Sequence, residues 1–462
     1  MNKVMDIFFH RDNYFPERMI YTMNYKEMLC YVDSLKSCGI VPGLDSITEL
    51  CKRLHNPQDE LKFVHIAGTN GKGSVLAYVS TILKCAGYKV GRYISPVIFQ
   101  YCERIQVNGK QISQKEISRV MTLVKEACDE MVAEGLPQPT PFEVETAAAF
   151  LYFKECNCDI VVLETGMGGR EDATNLIKTT LVSVLTKISM DHMKFLGKNL
   201  EKIAWQKAGI IKNGCYVVTA EQEAEALAVI EEEAEGKHCP VTVAGKSLKV
   251  KYGLEKQFFT YRDANEAVYE KLEIRLAGKH QIENAILAVE TIGKLRQLGF
   301  KVSEKQLRKG LFETVWPGRF QIVEKKPYFI LDGAHNEDAA KKLADSIRFY
   351  FTNKRIIYIM GILKDKEYEK VVAETYSYAD EIITVTPPDN ERALSAITLA
   401  QTVQEYHPHV TVADSLEEAV EMAYLLATKE DVIISFGSLS YLGRLTDILK
   451  ERQKKQCLKG KR

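Results

Sequence analysis

Several residues in this chain have the type and spacing to handle a phosphorylated ligand. The run His65-Ile-Ala-Gly-Thr-Asn-Gly-Lys-Gly-Ser74 sets three glycines and a lysine between an apolar stretch and a segment of helical period. A loop of this kind can turn the backbone N–H groups of Gly68, Thr69, Asn70, Gly71, Lys72, Gly73 and Ser74 toward phosphate oxygens, and the following helix adds the positive end of its dipole. Lys72 supplies a point charge for the outer phosphates. The run departs from the general phosphate-loop pattern at Ile66, where glycine is usual, and at Gly73, where a hydroxyl follows the lysine. A tight strand–helix turn with an incidental lysine is the competing reading, and a nucleotide site is preferred. Glu164 closes the apolar run 159–163 and is followed by glycines. A carboxylate at a strand's C-terminal end beside a phosphate loop is placed to hold Mg²⁺ on a nucleotide. Asp332 ends another apolar run, 328–331, in the same manner.

Other candidates are ambiguous as single residues. His192 alone reads as a core histidine; Asp191 before it and Lys207 after it favour a place in the site. Lys207 lies on a helical stretch, and an ammonium has only donors, so it cannot itself ligate a metal. Ser95 could be a turn hydroxyl before Pro96, Asn336 a helix N-cap and Arg319 half of a surface ion pair.

These groups need elements to position them. The pattern predicts strands over 61–67, 90–94, 159–163 and 181–186, with helices over 74–85, 114–133 and 142–155. A hairpin over 103–112 turns at Asn108-Gly109. Residues 245–277 alternate without helical period and are expected to add antiparallel strands to the first sheet. A helix over 280–298 follows. Pro317 and Gly318 mark a boundary, and strands near 328–331, 355–360, 381–386 and 432–436 rebuild an α/β alternation beyond it. The expected fold is α/β throughout: a P-loop-type parallel-sheet ATPase domain (1–315) and a smaller Rossmann-like α/β domain (316–462).

Composition narrows the function classes. The 462 residues suit two domains, and Lys+Arg and Asp+Glu are both 62, so no global basic field favours nucleic acid. No apolar run is long enough to span a bilayer, and charges within 1–23 interrupt any signal-peptide core. The 11 cysteines show no zinc-site spacing and fit free thiols in a reducing cytoplasm. Without an obvious coiled coil, a monomer is the default.

The Ala67-Gly-Thr-Asn-Gly-Lys-Gly-Ser74 loop resembles that of the folylpolyglutamate and dihydrofolate synthases, within the Mur ligase superfamily. The resemblance continues in order through Ser95-Pro96 with Glu103-Arg104-Ile105, Glu164-Thr-Gly-Met-Gly-Gly-Arg-Glu-Asp-Ala-Thr-Asn175 and Asp191-His192. It extends through Lys207-Ala-Gly-Ile210, His280-Gln281 with Asn284, Trp316-Pro-Gly-Arg319 and Asp332-Gly-Ala-His-Asn336. Together these span about residues 45–445. The resemblance implies an ATP- and Mg²⁺-dependent ligase that joins L-glutamate to a folate, or to dihydropteroate, through an acyl phosphate. It assigns Ser95, Glu164 and His192 to metal, and Lys207, as a carbamate, to a second ion. Gln281 and Asn284 are assigned to adenine, Arg319 and Asp332 to ATP, and His335 to the glutamate or acyl-phosphate side. Thr140, Phe142 and Asp172 are assigned to a pterin pocket, although Phe142 suits a core aromatic equally well, and Ser438 to glutamate. Val97 stands where family members often carry histidine, which leaves the pterin side open.

Overall fold

Short runs rich in β-branched residues become strands here because helices cover both of their faces. In the computed structural model, which describes residues 22–39, 41–191 and 193–459, the first sheet has eight strands. These are β1 (Phe63–Ala67), β2 (Val90–Tyr93), β3 (Ile105–Val107), β4 (Lys110–Gln111), β5 (Ile160–Glu164), β6 (Thr180–Leu185), β7 (Tyr216–Thr219) and β8 (Val241–Val243). Their order is β4-β3-β2-β5-β1-β6-β7-β8. The six from β2 to β8 run parallel, and the β3–β4 hairpin adds an antiparallel edge. That hairpin turns with φ of 52° at Asn108 and 75° at Gly109, the left-handed pair a two-residue turn requires.

The alternation of side chains along β1 divides them between two cores. Phe63 meets Phe150 edge-on, ring centroids 5.7 Å apart, among the helices Gln114–Ala133 and Pro141–Glu155. Val64 and Ile66 face the helices Lys72–Cys85 and His280–Gln297 instead.

The alternating segment forms β9 (Lys249–Lys251), β10 (Gln257–Arg262) and β11 (Val268–Ile274), but they make a separate antiparallel sheet. The expectation that they extend the first sheet is thereby corrected. The reason is their one-sided burial: Phe259, Tyr261, Leu272 and Ile274 pack inward while the intervening residues face solvent. A strand inside a sheet covered on both faces must be apolar on both.

The third sheet contains β12 (Gln321–Lys325), β13 (Tyr328–Leu331), β14 (Ile356–Met360), β15 (Glu381–Val385), β16 (Val410–Ala413) and β17 (Val432–Phe436). Its order is β12-β13-β17-β14-β15-β16, parallel except for β12. Helices again cover both faces. Among the described residues no helix is long and apolar enough to cross a membrane.

The helix Glu304–Glu313 lies directly on Lys72–Cys85, and a Cβ at Gly310 would stand 2.4 Å from Ile82 Cα. Gly310→Ala is therefore expected to destabilise the protein by about 1–3 kcal/mol through overpacking. Urea unfolding with an unchanged midpoint would contradict this packing.

Candidate active site

The carboxyl ends of β1, β5 and β6 open on one cleft, and the loop after β13 faces them from the third sheet. Ligands bind at this edge of open α/β sheets because loops and helix N-termini converge there. The phosphate loop leaves β1 through Gly68, whose φ is 149° and where a Cβ would lie 1.8 Å from Thr186 Oγ1. Only glycine fits that turn. Thr69 Oγ1 donates to the Ser189 carbonyl at 2.9 Å and accepts from Ser189 N at 3.0 Å, which pins the loop to the segment after β6. The helix that follows begins at Lys72 with no side-chain cap, so its first amides remain available to an anion. Lys72 Nζ folds back onto the carbonyls of Gly68 at 3.1 Å and Thr69 at 3.3 Å.

Glu164, at the end of β5, is 6% exposed. Burial pushes its carboxyl up to about 7, opposed by the nearby charges of Lys72 and Arg319 and by the Ser95 backbone. Ser95 Oγ is buried without a hydrogen-bond partner. A desolvated carboxylate beside an unpartnered hydroxyl is a hard-oxygen pair that fits Mg²⁺, which takes one or two protein oxygens and fills its octahedron with water and phosphate. Among the described residues no group of three or more His, Cys, Asp or Glu forms a metal cage. Such a cage is unnecessary for an ion that arrives on a nucleotide. His192 lies outside the described residues.

Lys207 is in the last turn of the helix Leu200–Ala208, 4% exposed, and its Nζ donates to the Gly68 carbonyl at 2.8 Å. Burial first, then the charge of Lys72, holds its amine down to about 7. It thus sits directly beneath the head of the phosphate loop, which its helical period alone could not reveal.

The opposite wall comes from the third sheet. Asp332 accepts from Phe320 N at 2.7 Å and Ala334 N at 2.8 Å, so its carboxylate folds the loop after β13. Arg319 lies against that loop, where a Cβ at Gly333 would come within 2.1 Å of its Nη1. His335 Nδ1 lies 2.7 Å from the Gly333 carbonyl. A carbonyl only accepts, so Nδ1 carries the proton and Nε2 keeps its lone pair. Gln281 and Asn284 bond each other at 3.1 Å on the cleft wall, and Asn284 Oδ1 stands over Gly71.

Hydrogen bonds cross the cleft. Asn70 Nδ2 donates to Asp338 Oδ2 at 2.7 Å, and Asn336 Nδ2 to Asp191 Oδ2 at 3.1 Å. Lys366 Nζ pairs with Asp191 at 3.1 Å, each side chain 11% exposed. Sequence reasoning missed Lys366 and Asp338. Lys366 follows the C-terminal end of β14, the place where polar residues of a doubly wound sheet collect, and that position was the available signal.

Four expected contacts stand apart from the cleft lining. Thr140 and Glu143 form a reciprocal capping box at the start of Pro141–Glu155. Asp172 accepts from Thr174 N at 3.1 Å and Met167 N at 2.8 Å, and so holds the glycine loop from behind. The Phe142 ring backs Gly166, leaving no space for a Cβ, with Tyr93 at a centroid distance of 6.0 Å. Ser438 caps the short turn 439–441, accepting from Ser440 N at 3.2 Å.

Two cleft histidines are held neutral. Burial lowers His280 to about 3 and His335 to about 4, the latter aided by Lys366. Between these values and about 6.5 the unfolded chain binds more protons, so stability falls as pH falls through that window. Urea unfolding between about pH 6 and 5 is expected to show a slope of up to ~1.4 kcal/mol per pH unit from each of these partly exposed histidines. Removing His280 as His280→Asn should lower that slope by one proton; an unchanged slope would contradict its burial as the neutral form.

Comparison with known proteins agrees with the geometry. Residues 66–292 match the Mur ligase middle domain, and residues 318–439 match the Mur ligase glutamate ligase domain. The chain is 39% identical over 365 residues to the dihydrofolate synthase/folylpolyglutamate synthase of Bacillus subtilis, covering 77% of this chain and 84% of that protein. Among solved structures, Mycobacterium tuberculosis folylpolyglutamate synthase complexed with ADP and AMPPCP superposes with a TM-score of 0.83 at 28% identity, covering 90% of this chain and 97% of that one. The Escherichia coli FolC protein in complex with DHPP and ADP gives 0.82 at 29% identity, covering 94% and 100%. This chain therefore belongs to the dihydrofolate synthase/folylpolyglutamate synthase family of the Mur ligases and is an ATP-dependent acid–amino-acid ligase.

Proposed function

We propose that the cleft joins L-glutamate to a folate, tetrahydrofolate first, in two steps. The observation that carries this reading is the meeting, in one cleft, of Lys72, Lys207 and Glu164 from the first sheet's side with Arg319 and His335 from the third. A folate carboxylate takes the γ-phosphoryl group of ATP, giving an acyl phosphate and ADP. The amine of glutamate then displaces phosphate and forms the amide.

Residues 1–315 form the ATP-binding unit in this reading and residues 316–462 the glutamate-ligase unit, a division the two matched family segments support. The amides of Gly68–Ser74 and Lys72 cradle the phosphates, Arg319 offsets their charge from the far side, and Gln281 and Asn284 meet the adenine. Asp332 acts by folding the loop that carries His335. The free Nε2 of His335 accepts a hydrogen bond from the incoming amine. Glu164, Ser95 and His192 would hold Mg²⁺, which supplies charge neutralisation at the β- and γ-phosphates. The amine of Lys207, neutral in appreciable fraction near pH 7, is the form that takes up CO₂, so a carbamate there would offer oxygen to a second ion. Asp172, Phe142 and Thr140 shape the folate side by holding the glycine loop and its helix, and Ser438 shapes the glutamate side. The enzyme works as a cytoplasmic monomer on small molecules, without nucleic acid or membrane.

A second reading has specific support: the Bacillus relative carries both names, and the E. coli relative was solved with DHPP. Phosphate release with ATP and Mg²⁺ should therefore be measured with dihydropteroate and with tetrahydrofolate, each with and without glutamate. Product masses identify the acceptor. Glutamate-dependent turnover of tetrahydrofolate alone indicates a dedicated polyglutamate synthase, and turnover of both a bifunctional enzyme. ATP hydrolysis without glutamate and without mass gain on either acceptor contradicts the proposal. Glu164→Gln should lower kcat at least about a hundredfold, since electrostatic groups at the transferring phosphoryl are worth that much.

A further inference from the structure

The helix that carries Lys207 is tied off at its C-terminal end in an unusual way. The last carbonyls of any helix lack intrahelical partners, and basic side chains there satisfy them and oppose the dipole. In Leu200–Ala208 the carbonyl of Trp205 accepts from Arg170 Nη2 at 3.3 Å, and that of Gln206 from Arg170 N at 2.7 Å. Asn175 Nδ2 bridges the carbonyls of Arg170, at 3.0 Å, and Gly209, at 3.1 Å. The contact is closed to any further atom: a Cβ at Gly169 would lie 2.8 Å from the Gln206 carbonyl oxygen, and one at Gly209 would lie 2.4 Å from Arg170 Cβ.

The Arg170 side chain is itself clamped. Its guanidinium lies 3.9 Å from the centroid of the Trp205 ring, and Nη2 also pairs with Glu233 at 2.5 Å. Glu233 pairs in turn with Lys237, which donates to the Ile211 carbonyl at 2.7 Å. Trp205 remains 48% exposed and belongs to none of the apolar cores, and the Arg170 guanidinium stacks on its ring. One turn of helix therefore presents Trp205 outward to Arg170 and Lys207 inward to the Gly68 carbonyl.

We infer that Arg170, stacked on Trp205, is a positioning residue for Lys207: it fixes the last turn of the helix so that the Lys207 side chain reaches the head of the phosphate loop. The inference rests on the proposed role of Lys207 and extends it to two residues that touch neither substrate nor metal. Lysine at position 170 would keep a charge near the carbonyls but lose the planar stack and the forked donors.

The test is a double-mutant cycle on glutamate-dependent phosphate release, comparing wild type, Arg170→Ala, Arg170→Lys, Lys207→Ala and Arg170→Ala/Lys207→Ala. Arg170→Ala is expected to lower kcat about tenfold or more, as displacement of a reacting group by about 1 Å does, with the KM for ATP within about twofold of wild type. Arg170→Lys should recover part of the loss, as should added guanidinium ions with Arg170→Ala. The double variant should be no slower than Lys207→Ala alone, because both remove the same contribution. Multiplying defects, with Lys207→Ala impaired, overturn the clamp and leave the role of Lys207 standing. An unimpaired Lys207→Ala overturns that role and the inference with it. Should Arg170→Ala fail to fold, Trp205→Ala at its half-exposed position enters the same cycle, and its defect must likewise vanish in the Lys207→Ala background.

Discussion

The arrangement of this protein turns on the positive charge gathered at the head of one loop. Lys72 folds back onto its own loop, Lys207 reaches the Gly68 carbonyl from below, and Arg319 lines the facing wall of the cleft; Lys207 is buried deeply enough that burial and Lys72 together hold its amine down to about 7. Glu164, buried on the same floor, is pushed the other way, to about 7. Charges in so dry a place cost free energy unless a partner arrives. In the proposed arrangement a polyanion with a bound cation would satisfy both at once, the phosphates meeting the ammonium and guanidinium groups and the cation meeting the carboxylate. The parallel sheet, the uncapped helix at Lys72 and the glycines serve to hold that imbalance in place.

The two halves of the molecule meet around the same point. Asn70, inside the phosphate loop, bonds Asp338 of the third sheet's first long helix, Glu337–Tyr350. Asp191, beyond β6, receives Asn336 and Lys366. The loop proposed to cradle phosphate is therefore in direct contact with the half that would present the second substrate. Bringing the halves together also excludes water, which an acyl phosphate requires in order to survive until the amine arrives.

The extent to which the sequence foretold this differs from element to element. The helix Gln114–Ala133 and the strands Tyr328–Leu331 and Val432–Phe436 coincide with their predicted spans, because amphipathic period or an unbroken apolar run marks them locally. β7, β8, β12 and β16 were not anticipated: each is short, and β8, β12 and β16 lie at or beside sheet edges with partly exposed side chains. The strands of 249–274 were recognisable, yet their pairing into a separate sheet is a tertiary choice. In the site, the phosphate loop and Glu164 were legible because strand ends and glycines are local signals. Lys366, Asp338 and the stacking of Arg170 on Trp205 were not, since residues far apart in the chain meet there only after folding. Thr140 shows the opposite case: Thr140-Pro-Phe-Glu143 is a capping box in plain view, and the structure uses it as one.

In the proposed arrangement one nucleotide bridges both halves of the molecule. That bridging is tested most directly by titrating a non-hydrolysable ATP analogue with Mg²⁺ into wild type and Arg319→Ala in a calorimeter. Arg319 lies far from the phosphate loop in sequence and belongs to the opposite wall of the cleft. Removal of its guanidinium is expected to weaken binding by at least about tenfold, the worth of one charge-assisted contact to phosphate. Equal affinity in the two proteins would mean that the first half binds nucleotide alone, and would overturn the bridged arrangement.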